Sequence, residues 1–544
     1  MGAFLFYKTF TKSKLKDCKV LNESFSVLHS MYDAALLYDS NFDEDYLHFQ
    51  NSEVDLYILG NFTQYRDFKI DLDSLYFNGA VQADVLDEVF RKFNGLFCAF
   101  LFDKNGNNWY LFTDHLGFYP VYYYSDSEVL LISSEIKYFN TLRRSRLHIN
   151  REALFSYLEN GHLILDQSWY KEVSRMRPAS IYHWSNNDAR LTHSYFWSWE
   201  KVKKLSLSKE VQIQKYIELF TSGISNLKFE SSASLGISLS GGLDSRWIAQ
   251  LATGFFPMEA FTFATGNNKE ALLASKVAKE LGIKHHLFDI EVKDWLQNRL
   301  DSFWKVDGLL HLGHLHEGNL QSQWRSKYSH IFHGFYGGGI YSNSYELNKR
   351  ITEDIGFRHF KSVAQNLKTE DSFYDTQSID PYIVDQKIRN QSAHSIYLMS
   401  SYAKIVIPFY NMEWLEFNYS IDDKLQLNSK FYLEVLNSSL SKNLLDIAWQ
   451  KTGIPPSRIS ANVRSLNFRI PSIVERLFQI SKSSKHFINY NLFDQEIDFW
   501  IQEFTRDILD LDFRYSLHNR ERKLRMLSLV LILKMLSKNN SNVL

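Results

Sequence analysis

The stretch Ser238-Leu-Ser-Gly-Gly-Leu-Asp-Ser-Arg246 gathers the residue types that hold an anion. Gly241 and Gly242 remove Cβ atoms that would keep phosphate oxygens away from the backbone. Ser240 and Ser245 supply hydroxyl donors, and Asp244 supplies a carboxylate able to hold a magnesium ion against phosphates. A helix starting at this point would add the unbonded N–H groups of its first turn. Leu239, Leu243 and Phe263 complete the expected lining for a nucleotide. No Gly-Lys-Ser/Thr follows the loop, so a Walker-type site is excluded. The alternative is an ordinary glycine-rich turn, but the full Ser-Gly-Gly-x-Asp-Ser string is more specific than a pair of glycines.

Strands and helices must position these groups. Leu235, Ile237 and Leu239 alternate with small residues, which predicts a buried strand before the loop. Trp247, Ile248 and Leu251 share one face of a predicted helix after it. A strand over 260–263, a helix over 270–281 stopped at Gly282, and a strand over 286–290 continue the rhythm. That alternation predicts a doubly wound parallel sheet with the nucleotide at its carboxyl edge. Upstream, short β-type runs at 55–60, 96–102, 109–112 and 121–124 predict an α+β sandwich, with helices over 83–93 and 151–158. The Lys/Ser-rich stretch 201–210 reads as a linker into a helix over 211–227. From about residue 350 the pattern is mostly helical. The chain shows no internal repeat and no low-complexity segment.

Composition narrows the classes. At 544 residues two or more domains are expected, and 45% hydrophobic residues suffice for sizeable cores. A formal net charge of −1 provides no global field for nucleic acid or an anionic membrane. Cys18 and Cys98 are the only cysteines, which points away from a disulfide framework and toward a reducing cytoplasm. The first residues lack the pattern of a secretory signal, and no Ser or Thr at position 6 supports myristoylation of Gly2. The apolar run over 526–536 carries Ser528 and Lys534 and reads as a buried C-terminal helix, too short to span a bilayer.

The nucleotide loop resembles that of ATP pyrophosphatases, and over nearly its whole length the chain resembles the asparagine synthetase family. Residues 94–103, Asn-Gly-Leu-Phe-Cys-Ala-Phe-Leu-Phe-Asp, are similar to the family's Asp-Gly-Met-Phe-Ala-Phe strand. Residues 114–123, Asp-His-Leu-Gly-Phe-Tyr-Pro-Val-Tyr-Tyr, are similar to its Asp-Arg-x-Gly-x-x-Pro-Leu-Tyr-Tyr. Ser134-Glu-Ile-Lys137 matches directly, and Gly60-Asn61-Phe62 resembles its Asn-Gly-Glu segment loosely. Glu270, Ala271, Ala274 and Ala278 resemble a family helix, and Trp449-Gln-Lys-Thr-Gly453 a late loop that places a lysine at the acyl-adenylate. The resemblance implies an N-terminal-nucleophile-type α+β sandwich over 1–205. An α/β ATP-pyrophosphatase domain with a helical C-terminal part follows over 206–544. It implies ATP and Mg2+ as cofactors, Lys451 stabilising charge on the attacked carbonyl and on leaving AMP, and a possible homodimer.

The resemblance fails at particular positions. Where the family's glutaminase has a cysteine after the initiator Met, Gly2 stands here, and no thiol precedes Cys18. Cys98 lies among Phe97, Ala99 and Phe100 and reads as a core residue. Without a thiolate no glutamyl thioester forms, so the expected nitrogen source is ammonia or a substrate amine. Such a loss recurs in β-lactam synthetase and lasso-peptide cyclases. The family's Ser-Gly-Glu-Gly-Ala-Asp-Glu corresponds to His333-Gly-Phe-Tyr-Gly-Gly-Gly339, where Gly338 replaces a metal-binding Asp and Phe335 a Glu. His333 and Gly334 remain to line the adenine side, and Tyr336 offers a hydroxyl. Pro408-Phe-Tyr-Asn411 replaces Pro-Phe-Leu-Asp. His311, His314, His316 and Glu317 pose a zinc site or a run of surface histidines. Two readings stand. One is an ATP-dependent ligase that adenylates a carboxylate and forms an amide, and the other a nucleotide-binding pseudoenzyme. Glutamine-dependent asparagine synthesis is disfavoured by Gly2.

Overall fold

A computed structural model describes residues 3–9, 25–31, 34–39, 46–141, 147–185, 188–266, 268–290, 293–316, 323, 326–337, 372–374, 380–426, 430–458, 492–505 and 520–538. Two six-stranded antiparallel sheets form the first half. One is ordered Ser174–Arg175, Tyr122–Ser125, Val129–Ser133, Ala3–Thr9, Ala34–Asp39, Ser26–Ser30. The other is ordered Asp188–Tyr195, Ser180–Ser185, Asn108–Thr113, Phe93–Asp103, Val54–Gln64, Tyr46–Gln50. Aromatic rings fill the space between them. Phe6 meets Trp109 and Trp184 at centroid distances of 5.0 and 5.2 Å, and Phe4 meets Phe100 at 5.3 Å. Each pair is edge-to-face, the favoured arrangement of ring quadrupoles.

All eleven residues of the strand Phe93–Asp103 are buried, because a helix covers the outer face. That helix, Ala83–Phe90, lays Phe90 on Phe97 and Phe112 at 5.1 and 5.9 Å. It ends three residues before the sequence expectation of 93. Phe93 is drawn into the ladder opposite Gln64, and pairing with a long strand outweighs one further helical turn. The helix Arg151–Asn160 runs two residues past the expected 158 and closes on Gly161 in the left-handed conformation.

The second half is built on a parallel sheet ordered His285–Asp289, Glu259–Ala264, Leu235–Ser238, His330–Phe332, Lys404–Val406. The helices Lys209–Ser225, Asp244–Thr253 and Lys269–Glu280 belong to this half, with Phe220 stacked on Trp247 at 4.0 Å. The order reverses direction at Leu235–Ser238, so the crevice between its carboxyl end and that of His330–Phe332 is the switch point where open α/β sheets bind ligands. The strand Lys404–Val406 is an exception within a remainder expected to be mostly helical. Three residues carry no readable alternation, and neighbouring strands create the strand rather than local propensity.

The two halves are tightly joined. The connecting segment hydrogen-bonds to the second half through Leu205 N–H to Ser420 O (2.9 Å) and Lys204 Nζ to Tyr419 O (2.6 Å). Asn61 pairs its side-chain amide with both backbone groups of Ile405 (3.1 and 2.9 Å), and Asn94 does the same with Ile407 (2.6 and 2.8 Å). These amides continue the ladder on the side of Lys404–Val406 where no further strand lies among the described residues. Tyr410 reaches into the loop after Thr113 and donates to Asp114 Oδ1 at 2.6 Å. The helix Arg520–Lys538 is buried along Leu524–Ile532, and Ser528 accepts from Leu312 N–H at 3.1 Å. Among the described residues no helix is long and apolar enough to cross a membrane.

Candidate functional site

The strand Leu235–Ser238 ends in a turn that opens the helix Asp244–Thr253. Leu239 is buried, and both its backbone groups are used within the sheet. Its N–H donates to Phe261 O (2.8 Å) and its carbonyl accepts from Thr262 Oγ1 (2.6 Å). Leu239 therefore anchors the loop. Ser240 N–H donates to Ser245 Oγ (3.2 Å), Gly242 N–H donates to Ser240 Oγ (3.1 Å), and the two hydroxyls lie 3.1 Å apart. One hydroxyl hydrogen is spent between the serines, which leaves one to be donated outward. The serines thus shape the loop as much as they line it.

Gly241 has a second reason to be glycine. A Cβ there would lie 2.8 Å from Gln450 Cβ and 3.1 Å from Leu273 Cδ1. Gln450 N–H also donates to Gly241 O at 3.1 Å, so the segment 449–453 is fastened to the loop. Gln450 Nε2 reaches the buried Glu270 at 3.3 Å. Lys451 follows. Burial pushes its ammonium pKa down, and the nearby Asp244 carboxylate pushes it up. Lys451 and Asp244 therefore lie within electrostatic reach of each other.

The helix beginning at Asp244 has Leu243 as its N-cap, with no side-chain hydrogen bond to its first turn. Asn150, Ser208 and Asn268 cap their helices, Gln82 before Ala83–Phe90 does not, and where Leu296 does not, Glu496 binds Trp295 and Leu296 N–H groups at 3.0 Å each. Asp244 accepts from Tyr432 OH at 2.6 Å, which orients its carboxylate. The helix start, the one remaining hydroxyl hydrogen and Asp244 suit a magnesium-bound polyphosphate. Mg2+ is held well by a single carboxylate plus phosphate oxygens and water.

Across the crevice, His333 N–H donates to Val406 O (2.9 Å) and its Nδ1 accepts from Phe335 N–H (3.0 Å). Burial pushes its pKa down to about 4, so the ring is neutral near pH 7. Gly334 lies over Asp244, a Cβ there falling 3.4 Å from Ser245 N and 3.5 Å from Asp244 Cβ. Tyr336 sits in a left-handed conformation (φ 65°), buried, with its ring against Phe118 at 5.4 Å. It packs into the join between the halves. Phe263 is half-buried in the strand Glu259–Ala264. Gly2, Gly338, Gly339 and Glu317 lie outside the described residues.

Two functional residues escaped the sequence reading. Arg246 is fully buried and donates to the carbonyls of Leu444 (3.0 Å), Ile447 (2.8 Å) and Ala448 (2.9 Å), which positions the Trp449–Gly453 turn. Tyr432 orients Asp244. Neither has a local signal, because both partners lie far away in the chain. The histidine run falls between its two readings: His311 is buried, His316 half-buried and His314 exposed. His311 and His314 are packed rings 4.0 Å apart, and burial pushes His311, His314 and His316 all down. Among the described residues no group of three or more His, Cys, Asp or Glu can hold a metal. Cys98 is buried in its strand, and burial pushes its thiol well up.

An antiparallel sandwich joined to a parallel sheet with a glycine loop at its switch point defines the class: an amidotransferase-type domain followed by a nucleotide-loop domain. A glutamine amidotransferase domain model matches residues 80–197, and an asparagine synthase model matches 225–311. A putative glutamine-hydrolyzing asparagine synthetase 2 of Methanocaldococcus jannaschii is 24% identical over 287 residues, covering 49% of this chain and 55% of the relative. Glutamine-hydrolyzing asparagine synthetase 2 of Bacillus subtilis is 24% identical over 267 residues, covering 44% of this chain and 34% of the relative. The chain thus spans about half the length of the first and about a third of the second. A solved glutamine phosphoribosylpyrophosphate amidotransferase from B. subtilis is 8% identical with a TM-score of 0.22, covering 53% of this chain and 85% of that chain. A glutamine amidotransferase domain model and an asparagine synthase model thus match successive segments of the chain, and the curated relatives it resembles are asparagine synthetases.

Proposed function

We propose that the chain is an ATP-dependent ligase that adenylates a carboxylate and lets ammonia or a substrate amine displace AMP. The observation that carries this reading is the uncapped start of the helix Asp244–Thr253, faced by a loop to which the Gln450–Lys451 turn is already bonded. Ser240, Gly241, Gly242, Leu243 and Ser245 hold the phosphates, and His333 and Gly334 line the nucleoside side. Magnesium, when bound at Asp244, neutralises phosphate charge. Lys451 stabilises the negative charge that grows on the attacked carbonyl and on AMP. Gly2 in place of a nucleophilic cysteine supports a nitrogen source other than glutamine.

Pyrophosphate release in the presence of ATP, magnesium and a panel of acidic amino acids, amines and peptides tests the proposal. AMP and pyrophosphate are the expected products, with no glutamate released from glutamine above a heat-killed control. Release of ADP and phosphate would overturn the mechanism. ATP binding without any release across the panel would move the reading to a nucleotide-binding pseudoenzyme.

A further inference from the structure

A second cavity lies apart from the nucleotide loop. It is an open pocket of about 520 Å3 among Tyr123, Ser125, Asp166, Ser174, Arg175, Arg177, Tyr182, Leu191 and His193. Its size is ordinary for a small-molecule site. Behind it three guanidiniums share two carboxylates. Asp385 pairs with Arg389 and with Arg177 Nη1 (3.1 Å), while Asp166 pairs with Arg389 Nη2 (2.6 Å) and Arg177 Nη1 (3.4 Å). Arg175 is left with neutral acceptors: Arg389 O (2.8 Å), Asn390 Oδ1 (2.8 Å) and Gly117 O (2.9 Å). Its Nε–H has no partner among the described residues.

Among the described residues the cluster therefore carries one more positive than negative charge, buried beside an open pocket. Burial pushes Arg175 down to about 10, whereas the carboxylates hold Arg177 well above its ordinary value. Retaining such a cation without an anion is costly unless a ligand supplies one. The walls narrow the ligand further. Tyr182 stacks on His193 at 5.2 Å, and Tyr123 lies 6.2 Å from Tyr182, so aromatic faces flank the guanidiniums. Asp385, Gln386, Arg389 and Asn390 all stand on the π-helix Val384–Ser392, a wide-turn geometry that recurs at functional sites.

We propose that this cavity binds a small planar carboxylate, its anion set against Arg175 and Arg177 and its plane against Tyr123, Tyr182 and His193. A single negative charge balances the cluster. A phosphate monoester, with a charge of roughly −1.5 to −2 near neutral pH, would exceed it and face Asp166. The proposal does not depend on the ligase reading, since none of its residues belongs to the nucleotide loop.

Benzoate is the probe, titrated calorimetrically into the full chain. Saturable one-to-one binding is expected. Ser174→Glu adds a like charge at a half-buried wall position and should weaken benzoate at least about tenfold while ATP affinity stays unchanged. Arg175→Gln should do the same if it folds, and Ser174→Glu keeps the test open if it does not. Cyclohexanecarboxylate should bind several-fold more weakly than benzoate. Absence of saturable benzoate binding, unchanged affinity in folded Ser174→Glu, equal affinity for the non-planar acid, or tighter binding of inorganic phosphate would each overturn the assignment.

Discussion

Replacing Tyr410 by Phe deletes one oxygen at the join between the two halves. That oxygen donates to Asp114 Oδ1 at 2.6 Å and accepts from Leu116 N–H at 3.1 Å. Asp114 is fully buried and otherwise accepts from the N–H groups of Phe118 (2.9 Å), Tyr119 (2.8 Å) and Leu116 (3.2 Å). Leu116 N–H keeps Asp114 as a second acceptor, so it is not orphaned, and the loss falls mainly on the carboxylate. A hydrogen bond to a buried charge contributes about 1.5–3 kcal/mol, so the variant should lose about 2–3 kcal/mol near pH 7. Burial raises the Asp114 pKa, and the Tyr410 hydroxyl is the foremost contact lowering it. Removing the hydroxyl raises the folded pKa further. The added cost exists only while the carboxyl is ionised, so it is full above the raised pKa and shrinks as pH falls through it. Urea unfolding at about pH 7 and about pH 5 reads both quantities, and combining the change with Asp114→Asn isolates the pair by a double-mutant cycle. A deficit below about 0.5 kcal/mol, or one that grows on acidification, would refute the reasoning.

Asp244→Ala should weaken Mg·ATP by roughly tenfold to a few hundredfold in calorimetry, and equal affinity would remove Asp244 from the metal's shell. Lys451→Ala should slow pyrophosphate release far more than it weakens ATP, since its charge acts on the transition state. Because burial lowers the Lys451 pKa, the wild-type rate should fall on the alkaline side earlier than for an exposed lysine, and Lys451→Ala should lose that limb. Arg246→Lys replaces a fork bonded to three carbonyls by a point donor. It should cost about 1.5–3 kcal/mol in unfolding and depress turnover with little change in ATP affinity, and wild-type values in both assays would contradict its positioning role.

The strand-turn-helix around the loop was legible because it is local. The alternation Leu235, Ile237, Leu239 and the face Trp247–Ile248 are set by near neighbours, and the structure has the strand Leu235–Ser238 and the helix Asp244–Thr253 there. The sandwich was legible for the same reason, through runs such as 96–102. What was hidden depends on distant partners. Tyr410 and Asp114 are 296 residues apart, and Arg246 and Ala448 are 202 apart. No periodicity encodes such pairs. Gly241 looked like a concession to phosphate, yet its contact with Gln450 gives a packing reason that appears only once the late turn is in place. The histidines at 311, 314 and 316 had ligand-like spacing, but only His311 is a buried ring, its pKa pushed well down by burial, while His314 is exposed and His316 half-buried.

The amides of Asn61 and Asn94 give the sandwich a structural role besides any chemistry of its own. They satisfy the backbone of Ile405 and Ile407, the margin of the sheet that carries the nucleotide loop. Excising the first half would bare that margin as a sticky template for other chains. The sandwich thus covers an edge of its neighbour that would otherwise be open to pairing. Selection for an unaggregated sheet can preserve such a domain whatever its own chemistry, so its survival in a genome is no measure of whether it turns over a substrate.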